Sequence, residues 1–318
     1  MNKGGFEFSF GWLFAIIVGA AIIFLAVYAA VKLVETEKTA MNLESAKQLD
    51  IILTPVETGF EEGKAVPPIV FPTESRIYNN CTNEGNFGEQ LIAVVSSSGI
   101  GQKWPAPGAP LISYNKYIFS EPIIQGKEIN AFPKSFDMPF KVADIIVLWA
   151  DKYCFINAPN EIRDEIMSLN LRNINTTDSI TLCARNSKKV CFYSELSGCN
   201  IIVNPEQRTV EKNGKIVHYE GGLVYGAIFS DPLLYECQVK RLMKRASEIS
   251  MLYFAKSQMI ATESPSGCSA NLQPGLTMYA NRAARLNNSD ELGGIAFEAN
   301  DLKNKNEDMS CGKLWGER

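Results

Sequence analysis

One histidine, eight cysteines and three Asn-x-Ser/Thr triplets are the residues of this 318-residue sequence with the most distinctive chemistry. A Ser-His-Asp or Cys-His site would have to use His218, which falls in a predicted hairpin strand, and no serine elbow of the GxSxG kind accompanies it. His218 therefore reads as a strand residue, and the sequence assigns no catalytic residue. Gly221-Gly222 and Gly226 match neither GxGxxG nor a Walker loop and read as flexible backbone near a strand end. Asp164 with Glu165, and Glu206 with Glu211, are the carboxylate pairs nearest an acid/base arrangement, and both read as surface acids. No DxDxDG loop and no CxxC pair occurs, so neither a metal nor a cofactor is expected.

Lys240, Arg241, Lys244 and Arg245 fall in i, i+4 rows on a predicted helix. Such a row is ordinarily a solvated face, and the functional alternative is an anionic surface ligand such as a glycan or wall polymer. The net charge of −4 gives no basic surplus, which argues against a nucleic-acid partner.

The cysteines (Cys81, Cys154, Cys183, Cys191, Cys199, Cys237, Cys268, Cys311) are even in number and all follow the N-terminal apolar stretch. Disulfides in an oxidising compartment are the simplest reading. Cys183 and Cys191 flank the turn 185–189 and are expected to face one another. A straight helix from Asp231 would hold Cys237 too far from Cys268 to bond, which makes Cys268 freer to pair with Cys311 and leaves the full set of pairings open. The triplets at Asn80, Asn175 and Asn287 are glycosylation candidates and agree with an outside location.

Residues 8–31 (FSFGWLFAIIVGAAIIFLAVYAAV) carry no charge, and as a helix they reach roughly 36 Å, enough to cross a bilayer. Phe8, Phe10, Trp12 and Tyr28 suit the two interfaces. Membrane lipid is thus the first expected partner. Lysines flank the segment on both sides and leave its orientation open, whereas the cysteines place the large domain outside. Gly11, Ala15 and Gly19 form a small-residue stripe where another helix approaches closely.

Lys3-Gly4-Gly5-Phe6, set directly before this helix, resembles the processing site of archaeal type IV pilin-like proteins. The resemblance covers about the first fifty residues. It implies cleavage after Gly5, a retained hydrophobic helix, and contacts with other copies or pilin-like subunits through that helix. The family's usual fifth-position glutamate falls at Phe10 here, and the nearby acid is Glu7. Two other fates stay open: an uncut signal anchor, and release after a cut near Ala29.

The chain divides into a short N-terminal segment (1–7), the transmembrane helix (8–31), an amphipathic helical extension (32–53) with Ala40, Leu43, Ala46, Leu49 and Leu53 near one face, and an extended linker (54–75). An extracellular α+β domain follows (76–318), with a subdivision considered near 175. Strands are predicted at 91–98, 143–150 and 153–156, and a meander of five between 179 and 219, its last turn at Asn213-Gly214. Trp104, in a loop rich in proline and glycine, reads as a lid on the core. Asp231-Pro232 opens the longest helix of the domain, to about Ile260, and two more follow at 276–286 and 290–303. The sequence thus points to a non-enzymatic surface protein for assembly or adhesion. The alternatives are a tethered binding module in envelope assembly or transport and, third, an anchored hydrolase.

Overall fold

The computed structural model describes residues 11–33, 49, 67–97, 104–193, 197–263, 269–309 and 312–316. Helix α1 (Gly11–Leu33) is apolar and long enough to cross a membrane. Its residues are exposed apart from half-buried Gly19. The remainder is α+β, as expected.

Six strands make the first sheet, in the order β3-β2-β1-β5-β6-β4: Leu111–Ser113, Glu89–Ser96, Ile69–Thr82, Ile123–Asp137, Lys141–Trp149 and Ile118–Phe119. All neighbours run antiparallel except β4 and β6. The stretch read as a linker up to residue 75 is already strand from Ile69, since Ile69 and Phe71 bury their side chains beside Ile77. Pro72 is tolerated because the β1–β5 register breaks between Val70 and Ser75, where ladder bonds are not needed.

The second sheet has the order β12-β11-β10-β9-β7-β8, from Lys215–His218, Thr209–Lys212, Ile201–Asn204, Ser187–Phe192, Lys152–Ile156 and Ile174–Thr177. Helix α2 (Asn160–Ser168) links parallel strands β7 and β8. The expected five-strand meander is corrected in two ways. Ile180–Leu182 is a short 3-10 helix, and β9 and β10 run parallel, joined by residues 193–200 and bridged by Cys191–Cys199. Only β10-β11-β12 is antiparallel, turning at Asn213-Gly214 with both residues at positive φ.

Helices α3 (Leu223–Phe229), α4 (Pro232–Glu263), α5 (Gln273–Ala284) and α6 (Leu292–Glu307) complete the domain. Asp231 Oδ1 accepts the Leu233 N–H at 2.9 Å, which caps α4 at its expected start. One hydrophobic cluster takes Phe119 and Val147 from the first sheet, Phe155 and Val190 from the second, and Leu242, Tyr279 and Ile295 from the helices. That core crosses residue 175, so the side chains do not separate there. Trp104 joins neither of the two larger clusters. It is half-buried, with the Arg76 guanidinium 4.1 Å from its ring centre, a cation–π contact at the sheet surface in place of a core lid.

Candidate functional site

Strand β11 alternates, so that Val210 and Lys212 both face inward, and the pattern sets an ammonium where a second apolar residue would ordinarily stand. Lys212 Nζ donates to Glu121 Oε1 at 2.6 Å and to the Ser230 carbonyl at 2.8 Å. Glu121 comes from the β4–β5 loop of the other sheet. The same oxygen accepts from Lys188 Nζ of β9 at 3.2 Å, and Lys188 also reaches Asp151 Oδ2 at 2.9 Å. Side-chain exposure falls from 58% at Asp151 through 32% at Lys188 and 24% at Glu121 to 6% at Lys212. Four charges of alternating sign thus run from solvent into the seam between the sheets.

Burial alone would raise the Glu121 pKa, but the charges and hydrogen bonds of Lys212 and Lys188 outweigh it and hold the carboxyl below its ordinary value. Burial dominates at Lys212 and lowers its pKa, against the pull of Glu121. At Lys188 burial works in the same direction, yet Tyr153, Asp151 and Glu121 around it leave the pKa raised. Burial also keeps the Tyr153 phenol protonated well beyond its usual range.

These residues border a cleft of about 540 Å³, lined by Glu121, Ile123, Asp151, Lys188, Asn200 and Asn213. Its carboxylates and ammoniums neutralise one another, and among the described residues no serine, cysteine or histidine lines it. The cleft presents polar side chains at its outer end, while the Glu121–Lys212 pair joins one sheet to the other. Among the described residues no group of His, Cys, Asp and Glu is arranged to hold a metal.

The basic row read from α4 divides between one buried side chain and three half-buried ones. Arg241 is 0% exposed. It donates to the carbonyls of Lys116 at 2.9 Å and Tyr114 at 3.0 Å, and burial pushes its pKa down to about 10. Lys244 Nζ donates to Asn83 O at 2.7 Å, and Arg245 Nε to Val142 O at 2.8 Å. Arg241 and Lys244 thus fasten loops to the helix and Arg245 bonds strand β6, so Arg241 acts as an internal clamp while Lys240, Lys244 and Arg245 stay half-buried. Periodicity identified the row but not the side that packs.

Gly222 and Gly226 are packed against neighbours, whereas a Cβ on Gly221 would meet nothing within 4 Å. A Cβ on Gly226 would lie 2.6 Å from the Phe119 ring, and one on Gly222 2.8 Å from the Ser135 carbonyl. His218 is held through its backbone, its N–H donating to Ser289 Oγ and its carbonyl accepting from Tyr235. Glu165 bonds Lys134 and the Tyr225 hydroxyl, while Asp164 is exposed, so the two do not form a pair. Glu206 is exposed and Glu211 half-buried on β11.

Among the described residues three disulfides form: Cys81–Cys237, Cys154–Cys183 and Cys191–Cys199. The expected Cys183–Cys191 facing pair is replaced, because Cys183 follows the 3-10 helix that covers the outer face of β7, where Cys154 points. Cys268 and Cys311 lie outside the described residues, as do Lys3, Gly4, Gly5 and Phe6. A Cβ on Gly11 or Gly19 would meet open space, and Ala15 is exposed on the same helix. Asn80, Asn175 and Asn287 are all exposed.

Glu121, Asp151 and Lys188 left no mark in the sequence, being ordinary polar residues far apart in the chain. Lys212 did leave one, as a charge on the inward side of an alternating strand. Comparison with protein families, curated proteins and solved structures finds no match to this chain.

Proposed function

We propose that this chain is a membrane-anchored cell-surface protein, pilin-like at its N-terminus, whose α+β head serves assembly or adhesion without catalysing a reaction. The observation that carries this reading is Leu49. It is 1% exposed and packs with Ile69, Phe71 and Ile77 in the core on one face of the first sheet. Leu49, sixteen residues beyond the end of the apolar helix, is thereby seated in the head, and a plain tether has no need of such burial. Helix α1 and the three disulfides support an anchor with the domain in an oxidising compartment.

The test is the N-terminal sequence and intact mass of protein purified from its native membrane without reductant. A mature start at Phe6 is expected. An intact Met1 would make the helix a simple signal anchor, and a start near Ala30 would make the head a released protein. Enlarging Gly11, Ala15 and Gly19 together to leucine is expected to abolish oligomers, and unchanged oligomers would remove the helix-packing part of the proposal.

A further inference from the structure

The two sheets have four end strands, β3, β4, β8 and β12. An open strand edge invites pairing with another chain unless something covers it. Three of the four are managed. Strand β4 is closed by side-chain amides, since Gln90 Oε1 accepts the Ile118 N–H and both Gln238 and Asn79 donate to the Ile118 carbonyl. Beside β3, the carbonyls of Ser113 and Tyr114 accept from Arg241. Strand β12 carries Lys215 and hands the His218 N–H to Ser289. Strand β8, Ile174-Asn175-Thr176-Thr177, has no charge, no proline and, among the described residues, no strand on its outer side.

That strand is also an acceptor triplet. Asn175 is exposed and stands in register with Cys154, which points away from the main core, so Asn175 stands on the sheet's outer face. The other two triplets are presented less well by the folded chain. The Thr82 hydroxyl oxygen is buried, and Ser289 is 1% exposed with its hydroxyl donated to Glu236. Thr177 is half-buried at the sheet's edge, and its hydroxyl bonds only the backbone of Ser179 two residues on, at 3.2 and 3.4 Å.

We propose that Asn175 is N-glycosylated and that its sugar shields the open edge of the second sheet. The donor is a glycosyl phosphate. A bond forms between Asn175 Nδ2 and the sugar's anomeric carbon as the bond from that carbon to the phosphate oxygen breaks. The amide nitrogen gives up one proton to solvent or base, and the phosphate carrier leaves with the bonding electron pair. This inference rests on the reading of an outside domain.

The experiment is peptide mass spectrometry of the full chain from its native membrane, digested without reduction, for wild type, Thr177→Ser, Thr177→Val and Asn175→Gln. Sugar mass is expected on the Asn175 peptide in wild type and Thr177→Ser. The two other variants should lack it there and aggregate at lower temperature by light scattering. Thr177→Val keeps the asparagine and strand shape, so loss of sugar in it reports acceptor recognition and not misfolding. An unmodified Asn175 in disulfide-bonded wild-type protein would overturn the glycan and leave the outside location standing. An unmodified Asn175 together with free thiols would overturn both.

Discussion

Arg241 Nη1 donates to Gln238 Oε1 at 2.8 Å, one turn earlier on α4, and Gln238 in turn donates to Gln90 Oε1 on β2 at 2.6 Å. Through these two side chains the long helix is wired to strand β2 of the first sheet. Arg241 has no carboxylate among its hydrogen-bond acceptors, so its charge is balanced by carbonyl dipoles. Arg241→Met is expected to leave several buried carbonyls without a donor and to cost about 3 kcal/mol. A fall in the urea midpoint at unchanged slope is the readout, and a midpoint equal to wild type would refute the clamp.

Glu121 gives the head an acid-sensitive seam. Its folded pKa lies below the ordinary 4.5, so its stabilising effect is complete above about pH 4.5 and is lost as pH falls through the lower folded value. Glu121→Gln is expected to flatten the acid limb of the stability curve. At neutral pH it should also cost about 2–4 kcal/mol, because Lys212 would be left buried without a counter-charge. Lys212→Met should cost less, since Lys188 still pairs Glu121. Denaturation midpoints of both variants between pH 3 and 8 decide the matter, and parallel curves for Glu121→Gln and wild type would exclude the mechanism.

The three bridges close loops of very different length, with separations of 156, 29 and 8 residues. Loop entropy alone ranks their contributions at about 5, about 3.6 and about 2.5 kcal/mol. Removing Cys81–Cys237 by paired serine substitution should therefore lower the melting temperature most, and Cys191–Cys199 least. That order also suits their positions, since Cys81–Cys237 joins β1 to the start of α4 while Cys191–Cys199 closes a short return beside β9. Calorimetry on the three double variants checks the ranking, which a larger loss from Cys191–Cys199 would reverse.

How far the sequence could be read depended on whether a feature was local. Residues 143–150 and 153–156 are rich in β-branched and aromatic side chains, Asn213-Gly214 fixes its hairpin by backbone conformation, and Asp231-Pro232 caps a helix by its own chemistry, so all were legible. Helix α3 was not, because seven apolar residues after a glycine pair have no period to separate a buried helix from a strand. The parallel β9–β10 pairing and the disulfide partners depend on contacts between distant segments. The Glu121 site combines both cases. Lys212 betrays itself by alternation, while Glu121 and Lys188 become special only when two sheets meet.

Gly226 shows how closely those sheets and helices meet, and it supplies the sharpest steric test. It lies in the middle of α3, where glycine weakens the helix by about 1 kcal/mol relative to alanine, so on propensity alone Gly226→Ala would stabilise. Packing opposes this, because the new methyl would stand 2.6 Å from Phe119, a fully buried ring on β4 that also packs on Tyr235. Overpacking of that kind costs about 1–3 kcal/mol and outweighs the propensity gain. Gly226→Ala is therefore expected to destabilise. Phe119→Leu alone should also destabilise, by loss of ring contacts. The double variant should recover part of the loss, because the smaller side chain gives the methyl room, and a double-mutant cycle measures that coupling directly. Strict additivity of the two changes would mean that α3 shifts away from β4 instead of pressing on it.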